Sequence, residues 1–281
     1  MSRKILVGSM NGKIYIYDTV TQELDAYDQP DNKGIMGLAR HEEHLFVSSR
    51  EMVMRQAFPH DADNSVRKEF PTDSPQFHQL LLHGKKVYIT CTAINEIWVF
   101  DYDLKLLERK RIVPPNPKSP IALKSNYNHA NSICYHNGLF YVGLNWLTST
   151  QYGKSGVCVF NQNLEEQERF EYGWETHGFT FVDGKPYALC ATSDPVDKKI
   201  NHPHLAGLMF DNQLVFQHPI DVFCKAFVVD SDRIFIFGGE VATRTKRGNI
   251  CGMVYILDRN FNLLNTIRFN NTGQFCGAML I

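Results

Sequence analysis

One short segment, returning five times, constrains this chain more than any other feature. Gly12-Lys13-Ile14-Tyr15-Ile16-Tyr17-Asp18 is the first copy, and residues 95–101, 155–161, 206–211 and 252–258 are the others. Most copies are rich in β-branched or aromatic residues, and each stops at Asp or Asn, which reads as a strand running into a turn. A more polar strand follows, as at 104–111 and 262–269. Four copies are preceded by an apolar strand (86–90, 139–143, 185–189 and 233–237) and, before that, by another (78–82, 131–135, 178–182 and 225–229). Short turns such as His83-Gly84, Asn137-Gly138 and Asp183-Gly184 join these two, and Asn-Gly and Asp-Gly are strong hairpin dipeptides. A looser copy occupies 37–70, with Leu45-Phe46-Val47 as its second strand. No long segment carries a competing helical period.

Four strands recurring every 40 to 60 residues are the pattern of a β-propeller. Blades are expected near 35–70, 76–112, 129–172, 177–219 and 224–269. A sixth comes from the two ends of the chain. The tail 274–281 and the segment 4–9 each read as a strand with no sequence neighbour to pair with. Pairing 274–281 with the strands of 3–27 closes the ring and removes the sheet edges that would otherwise aggregate. The expectation is an all-β fold, a single β-propeller domain over 1–281 with about six four-stranded blades. The proline-dense stretch 114–120 is expected to be an ordered loop between blades, because its prolines exclude helix and central strand. On this repeat the whole chain resembles six-bladed β-propellers, similar in outline to the NHL-type and gluconolactonase-type members. The resemblance implies a fold and no set of catalytic residues.

Composition narrows the partners. A formal net charge of −1 offers no basic stripe for nucleic acid and no field for an acidic membrane. The longest apolar runs are strand-sized, too short to span a bilayer. Seven cysteines, an odd number scattered singly, make no disulfide framework. With no apolar leader before the first strand, a cytoplasmic location is expected.

In such a ring the innermost strands line the axis, and their starting ends share a face with the loops between second and third strands. Aligning the repeats brings Met36, His78, His129 with Asn131, His177, Cys224 and Cys276 to those starts. Strict counting from the turns puts Asn131 level with His78 and His177, and His129 one pleat further out. Imidazoles gathered from three blades suit a divalent transition metal (zinc, iron or copper), so His78, His129 and His177 are the candidate ligands. Glu175 would orient an imidazole. Cys224 and Cys276 are further pocket candidates, or else small apolar fillers. On the loops, Glu240 is the candidate acid–base group, Asn131 and Asn145 orient substrate, Trp146 supplies an apolar wall and Arg244 an anion contact. Lys246 and Arg247 read as solvated loop, and His202-Pro203-His204 as a surface turn. Trp98, Met52 and Met54 read as core, and Trp174 as packing between blades or as pocket wall. A calcium site, which the gluconolactonase-type resemblance would imply, is disfavoured by the scarcity of aligned carboxylates. No phosphate-binding glycine loop or serine nucleophile elbow is present. The reading is a metal-dependent enzyme for a small polar molecule at the central pocket. The alternative is a non-catalytic propeller that binds a protein or peptide on its loop-rich face.

Overall fold

The Asp or Asn that ends each repeat closes a turn. In a computed structural model describing residues 3–59, 61–70 (61–64 as backbone only), 75–113, 128–147, 154–190, 205–219, 221–243 and 245–281, four of these side chains cap two amides each. Asp18 Oδ1 accepts from Val20 and Thr21 (2.8 and 3.0 Å), and Asp101 Oδ1 from Asp103 and Lys105 (3.0 and 2.8 Å). Asn161 Oδ1 accepts from Asn163 and Glu165 (2.9 and 3.0 Å), and Asp258 Oδ1 from Asn260 and Asn262 (2.8 and 2.9 Å). A left-handed residue completes each of these turns: Gln22, Leu104, Leu164 and Phe261, at φ 62, 60, 55 and 67°. Short acceptor side chains are favoured in such turns because they satisfy amides that the strand ladder leaves over.

The turns separate 24 strands arranged as six four-stranded antiparallel sheets. Strands β1–β3 are Lys4–Ser9, Ile14–Asp18 and Leu24–Asp28. Strands β4–β7 are Ile35–His41, His44–Ser49, Met52–Ala57 and Asp61–Glu69, and β8–β11 are Phe77–His83, Lys86–Cys91, Glu96–Asp101 and Leu106–Arg111. Strands β12–β15 are Ala130–His136, Leu139–Leu144, Gly156–Phe160 and Glu166–Glu171, and β16–β19 are Thr176–Val182, Lys185–Cys190, Gly207–Phe210 and Gln213–Gln217. Strands β20–β23 are Val222–Val229, Arg233–Glu240, Gly252–Asp258 and Leu263–Phe269, and β24 is Phe275–Leu280. The closure expected from the two terminal strands is present: β24 pairs antiparallel with β1, with Ile5 opposite Leu280 and Gly8 opposite Gly277. The innermost strands meet in the cyclic order β24, β4, β8, β12, β16, β20 and back to β24.

The core lies between blades. Successive strand residues face opposite sides of a sheet, so each blade offers an apolar face to both neighbours. Tyr88, Ile97 and Val99 of one blade pack on Ile133, Phe140 and Val142 of the next. Tyr15 and Tyr17 pack on Phe235, Phe237 and Val254 across the closure. Each such side chain contributes about 1.5–3 kcal/mol on burial. Trp98, Met52 and Met54 are buried as expected. No disulfide joins any of the seven cysteines, and among the described residues no helix is long and apolar enough to cross a membrane.

One irregularity recurs in every blade. The ladder of each innermost strand slips near its start, between Ile35 and Gly37, Phe77 and Leu80, Ala130 and Ser132, His177 and Thr180, and Cys224 and Ala226. The closing blade slips at Gly8/Ser9, opposite Cys276. A bulge releases a residue from the ladder and re-aims its side chain. Convergence of six sheets on one axis leaves little room beside the bulge. At Gly37 a Cβ would stand 2.7 Å from the His78 carbonyl oxygen and 2.6 Å from Ser48 Oγ.

Candidate functional site: the axial cavity

The bulges shape a cavity of about 210 Å³ on the axis. Each innermost strand sends one residue at the same register into its lining: Met36, His78, Asn131, His177, Lys225 and Cys276. The register is constant. Counting four residues back from the strand residue paired beside the hairpin leads from Arg40 to Met36, Leu82 to His78, Tyr135 to Asn131, Phe181 to His177, Val229 to Lys225 and Leu280 to Cys276.

His129 stands two residues before Asn131, at the mouth, in a left-handed conformation (φ 55°). Its ring lies edge-on to both neighbours, with centroids 5.2 Å from His78 and 6.2 Å from His177. The structure therefore brings the three sequence-predicted histidines together. His78 and His177 are 9% and 5% exposed, while His129 is half-buried. Burial holds His78 well below the usual imidazole pKa, and His129, Lys225, His177 and Arg50 push the same way. His177 is likewise lowered, by burial first and then by Lys225, His129 and Arg247. At neutral pH both rings are therefore uncharged, each carrying one N–H donor and one acceptor nitrogen.

Asn131 is 3% exposed. Its Nδ2 donates to the Thr176 carbonyl (2.8 Å) and to Asn145 Oδ1. Its Oδ1 is buried with no hydrogen-bond partner. Asn145 is held in turn, its carbonyl accepting from Ser155 Oγ at 2.6 Å. It thus fixes Asn131 from outside the cavity lining. Trp146 flanks His129, with ring centroids 6.2 Å apart.

No known family profile and no curated protein sequence matches the chain. Solved structures do match it along its whole length. A Bacteroides caccae protein of unknown function is 13% identical, with 100% of this chain and 99% of that one covered and a TM-score of 0.68. A structure of a nidogen–laminin complex is 13% identical over 99% of this chain and 98% of that one, with a TM-score of 0.64. A Bacteroides fragilis protein described as a candidate 6-phosphogluconolactonase is 12% identical over 100% and 98%, with a TM-score of 0.54. The chain is a six-bladed β-propeller. At such low identity the likeness establishes the architecture alone, and the similar structures range from a protein named as a lactonase to a nidogen–laminin complex.

Several expectations shift once the propeller's register is known. Cys224 does not take the axial place; Lys225 does. The bulge after Cys224 turns that thiol into the packing between blades, among Tyr187, Leu189, Leu208 and Ile236, where burial pushes its pKa upward. Cys276 does line the cavity, but burial raises its pKa too, so it presents a thiol. Glu240 ends β21 ion-paired with Arg268 of β23, and it is absent from the described lining. A carboxylate so committed stabilises a blade edge and makes a poor proton acceptor at the axis. Glu175 occupies the left-handed entry position of its blade (φ 44°), as Gln76 and His129 do in theirs (φ 50 and 55°). Trp174 lines a different depression with Lys154, Glu171 and Met209, and its N–H donates to Cys190 Sγ at 3.3 Å. Lys246 is exposed as expected, but Arg247 is half-buried, its guanidinium carbon 5.3 Å from the Phe223 ring centroid. Arg244, Asp194, Asp197, His202, His204 and the stretch 114–120 lie outside the described residues. Sequence reasoning missed Lys225, Arg50 and Arg247. The four-residue count back from the hairpin would have found Lys225.

Proposed function

We propose that this propeller is an enzyme acting on a small polar molecule held in the axial cavity. His78 and His177 serve as its proton-accepting and proton-donating groups, and Asn131 positions the substrate. The observation that carries this reading is the pair of buried, uncharged imidazoles lining one cavity beside an unsatisfied amide oxygen. A neutral imidazole can take a proton at one nitrogen while its other N–H holds the substrate, so two of them can serve a hydrolysis or an elimination. The test is turnover of a panel of hydroxy acids, lactones and esters followed by NMR. Wild-type protein should convert a member of the panel, and His177→Gln should lose at least about 100-fold of that rate with its melting curve intact. Wild-type protein that neither binds nor converts any small molecule would overturn the proposal and favour a protein or peptide partner on the loop-rich face.

A second reading has the spacing of the three rings in its favour. Centroids 5.2 Å (His78–His129) and 6.2 Å (His129–His177) apart support a reading in which the three rings share a zinc, iron or copper ion. Among the described residues, however, no group of three His, Cys, Asp or Glu is arranged to hold a metal. Lys225 lines the same cavity, and its charge would repel a dication. Metal analysis of protein purified without an affinity tag decides it: about one equivalent, absent from His129→Ala, would establish the metal reading.

A further inference from the structure

The axial cavity carries positive charge on a chain whose net charge is −1. Among its described lining residues there is no Asp or Glu, and Lys225 is the one Lys or Arg. Two guanidiniums stand near it. Lys225 Nζ and Arg247 Cζ lie 5.1 and 5.3 Å from the centroid of one ring, Phe223, and that ring is 5.9 Å from His177. Arg50 is close enough to bear electrostatically on both His78 and Cys276. Arg50 follows β5 and Arg247 follows β21, so both belong to loops between second and third strands, on the face where the innermost strands begin. Three cations from the two blades that flank the closing blade thus converge on one mouth.

A second observation is independent of charge. Asn131 Oδ1, inside the same lining, is a buried acceptor with no partner, and a buried unmade hydrogen bond is unfavourable. It calls for a donor, such as a ligand hydroxyl. His78 and His177 line the same cavity.

We propose that the cavity selects a small hydroxylated oxyanion, a carboxylate or a phosphate ester, whose charge rests at Lys225 and whose hydroxyl donates to Asn131 Oδ1. This rests on the reading of the cavity as a small-molecule site. Arg50 and Arg247 draw the anion to the mouth, and a cationic funnel of this kind raises the local concentration of an anion.

The test is calorimetric titration of the full chain with D-gluconate, glycerol 3-phosphate, inorganic phosphate and uncharged sorbitol. One of the two hydroxylated anions should bind, inorganic phosphate should bind more weakly, and sorbitol should not bind. The gluconate and glycerol 3-phosphate arms separate carboxylate from phosphate. Lys225→Met should weaken the bound anion about tenfold or more, Lys225→Arg should restore it, and Asn131→Leu should weaken the hydroxylated anion without touching inorganic phosphate. Affinity should fall as salt rises. Sorbitol binding as tightly as the anions, or an unchanged affinity in Lys225→Met, overturns the inference. If sorbitol binds and His177→Gln abolishes that binding, the small-molecule reading stands and only the anion preference falls. If none of the four binds, the inference falls, and the turnover panel decides the small-molecule reading separately.

Discussion

The axial ring and the outer turns occupy equivalent places in successive blades, yet they treat the repeat in opposite ways. At four of the turns the residue hardly changes: Asp18, Asp101, Asn161 and Asp258 each cap two amides of the next four residues. At the axis it changes every time, through Met36, His78, Asn131, His177, Lys225 and Cys276. The difference follows from symmetry. A turn meets mainly its own blade, so one solution can be repeated, as it is in four of the six. The axis is where six blades meet one another, and a ligand without sixfold symmetry requires unlike groups there. In a repeat protein, sameness at an aligned position marks construction and divergence at the convergence point marks the site.

The largest expected effect would break this comparison if it failed. His177→Ala should reduce affinity for the cavity's ligand about 100-fold, or about 2.8 kcal/mol, measured by calorimetry, while Asp101→Ala leaves affinity unchanged. Loss of binding in the turn variant would mean that the two regions are not separable. Next comes Gly37→Ala, which couples them. Its Cβ would collide with the His78 carbonyl, so denaturant unfolding should show a loss of about 1–3 kcal/mol, with binding reduced as well because His78 is displaced.

Most of the pH dependence of stability should come from the axis, with a further part from His218, which burial also holds below the usual imidazole range. His78 and His177 have folded pKa values below that of an unfolded imidazole, so between the two values the unfolded chain binds more protons. Stability is then fully present above about pH 6.5 and falls as the pH drops below it, by up to about 1.4 kcal/mol per unit for each ring. Urea melts from pH 8 to 5 should show this slope, and His78→Gln with His177→Gln should flatten it. A slope unchanged in the double variant would place the titrating groups elsewhere. The smallest effect is that of Asp101→Ala on stability, about 1 kcal/mol by thermal or denaturant melt, because the two amides it caps lie at an exposed turn where water replaces it.

Much of the architecture was legible because strand, turn and closure signals are local. The Asn137-Gly138 and Asp183-Gly184 hairpins, the Asp-terminated strands and the two terminal strands each carry their meaning in a few residues. The three histidines were legible for the same reason, since the repeat places them at similar phase. Lys225 was misplaced in favour of Cys224 because a bulge has no composition of its own. It adds a residue to one strand and not to its partner, so aligning strand starts slips by one where counting back from the hairpin does not. Glu240 looked available at a strand exit, but its partner Arg268 belongs to another strand of the same blade, 28 residues on. Arg247 looked like solvated loop because nothing adjacent in sequence announces Phe223.

The chain alone determined the number of blades, their four-stranded form and the joining of its ends, since backbone propensity and turn chemistry act over neighbouring residues. Which side chains reach the axis, which charges gather there and which polar atom is left wanting were decided only in three dimensions. Those outcomes depend on bulges and on contacts between blades, where sequence distance no longer measures separation.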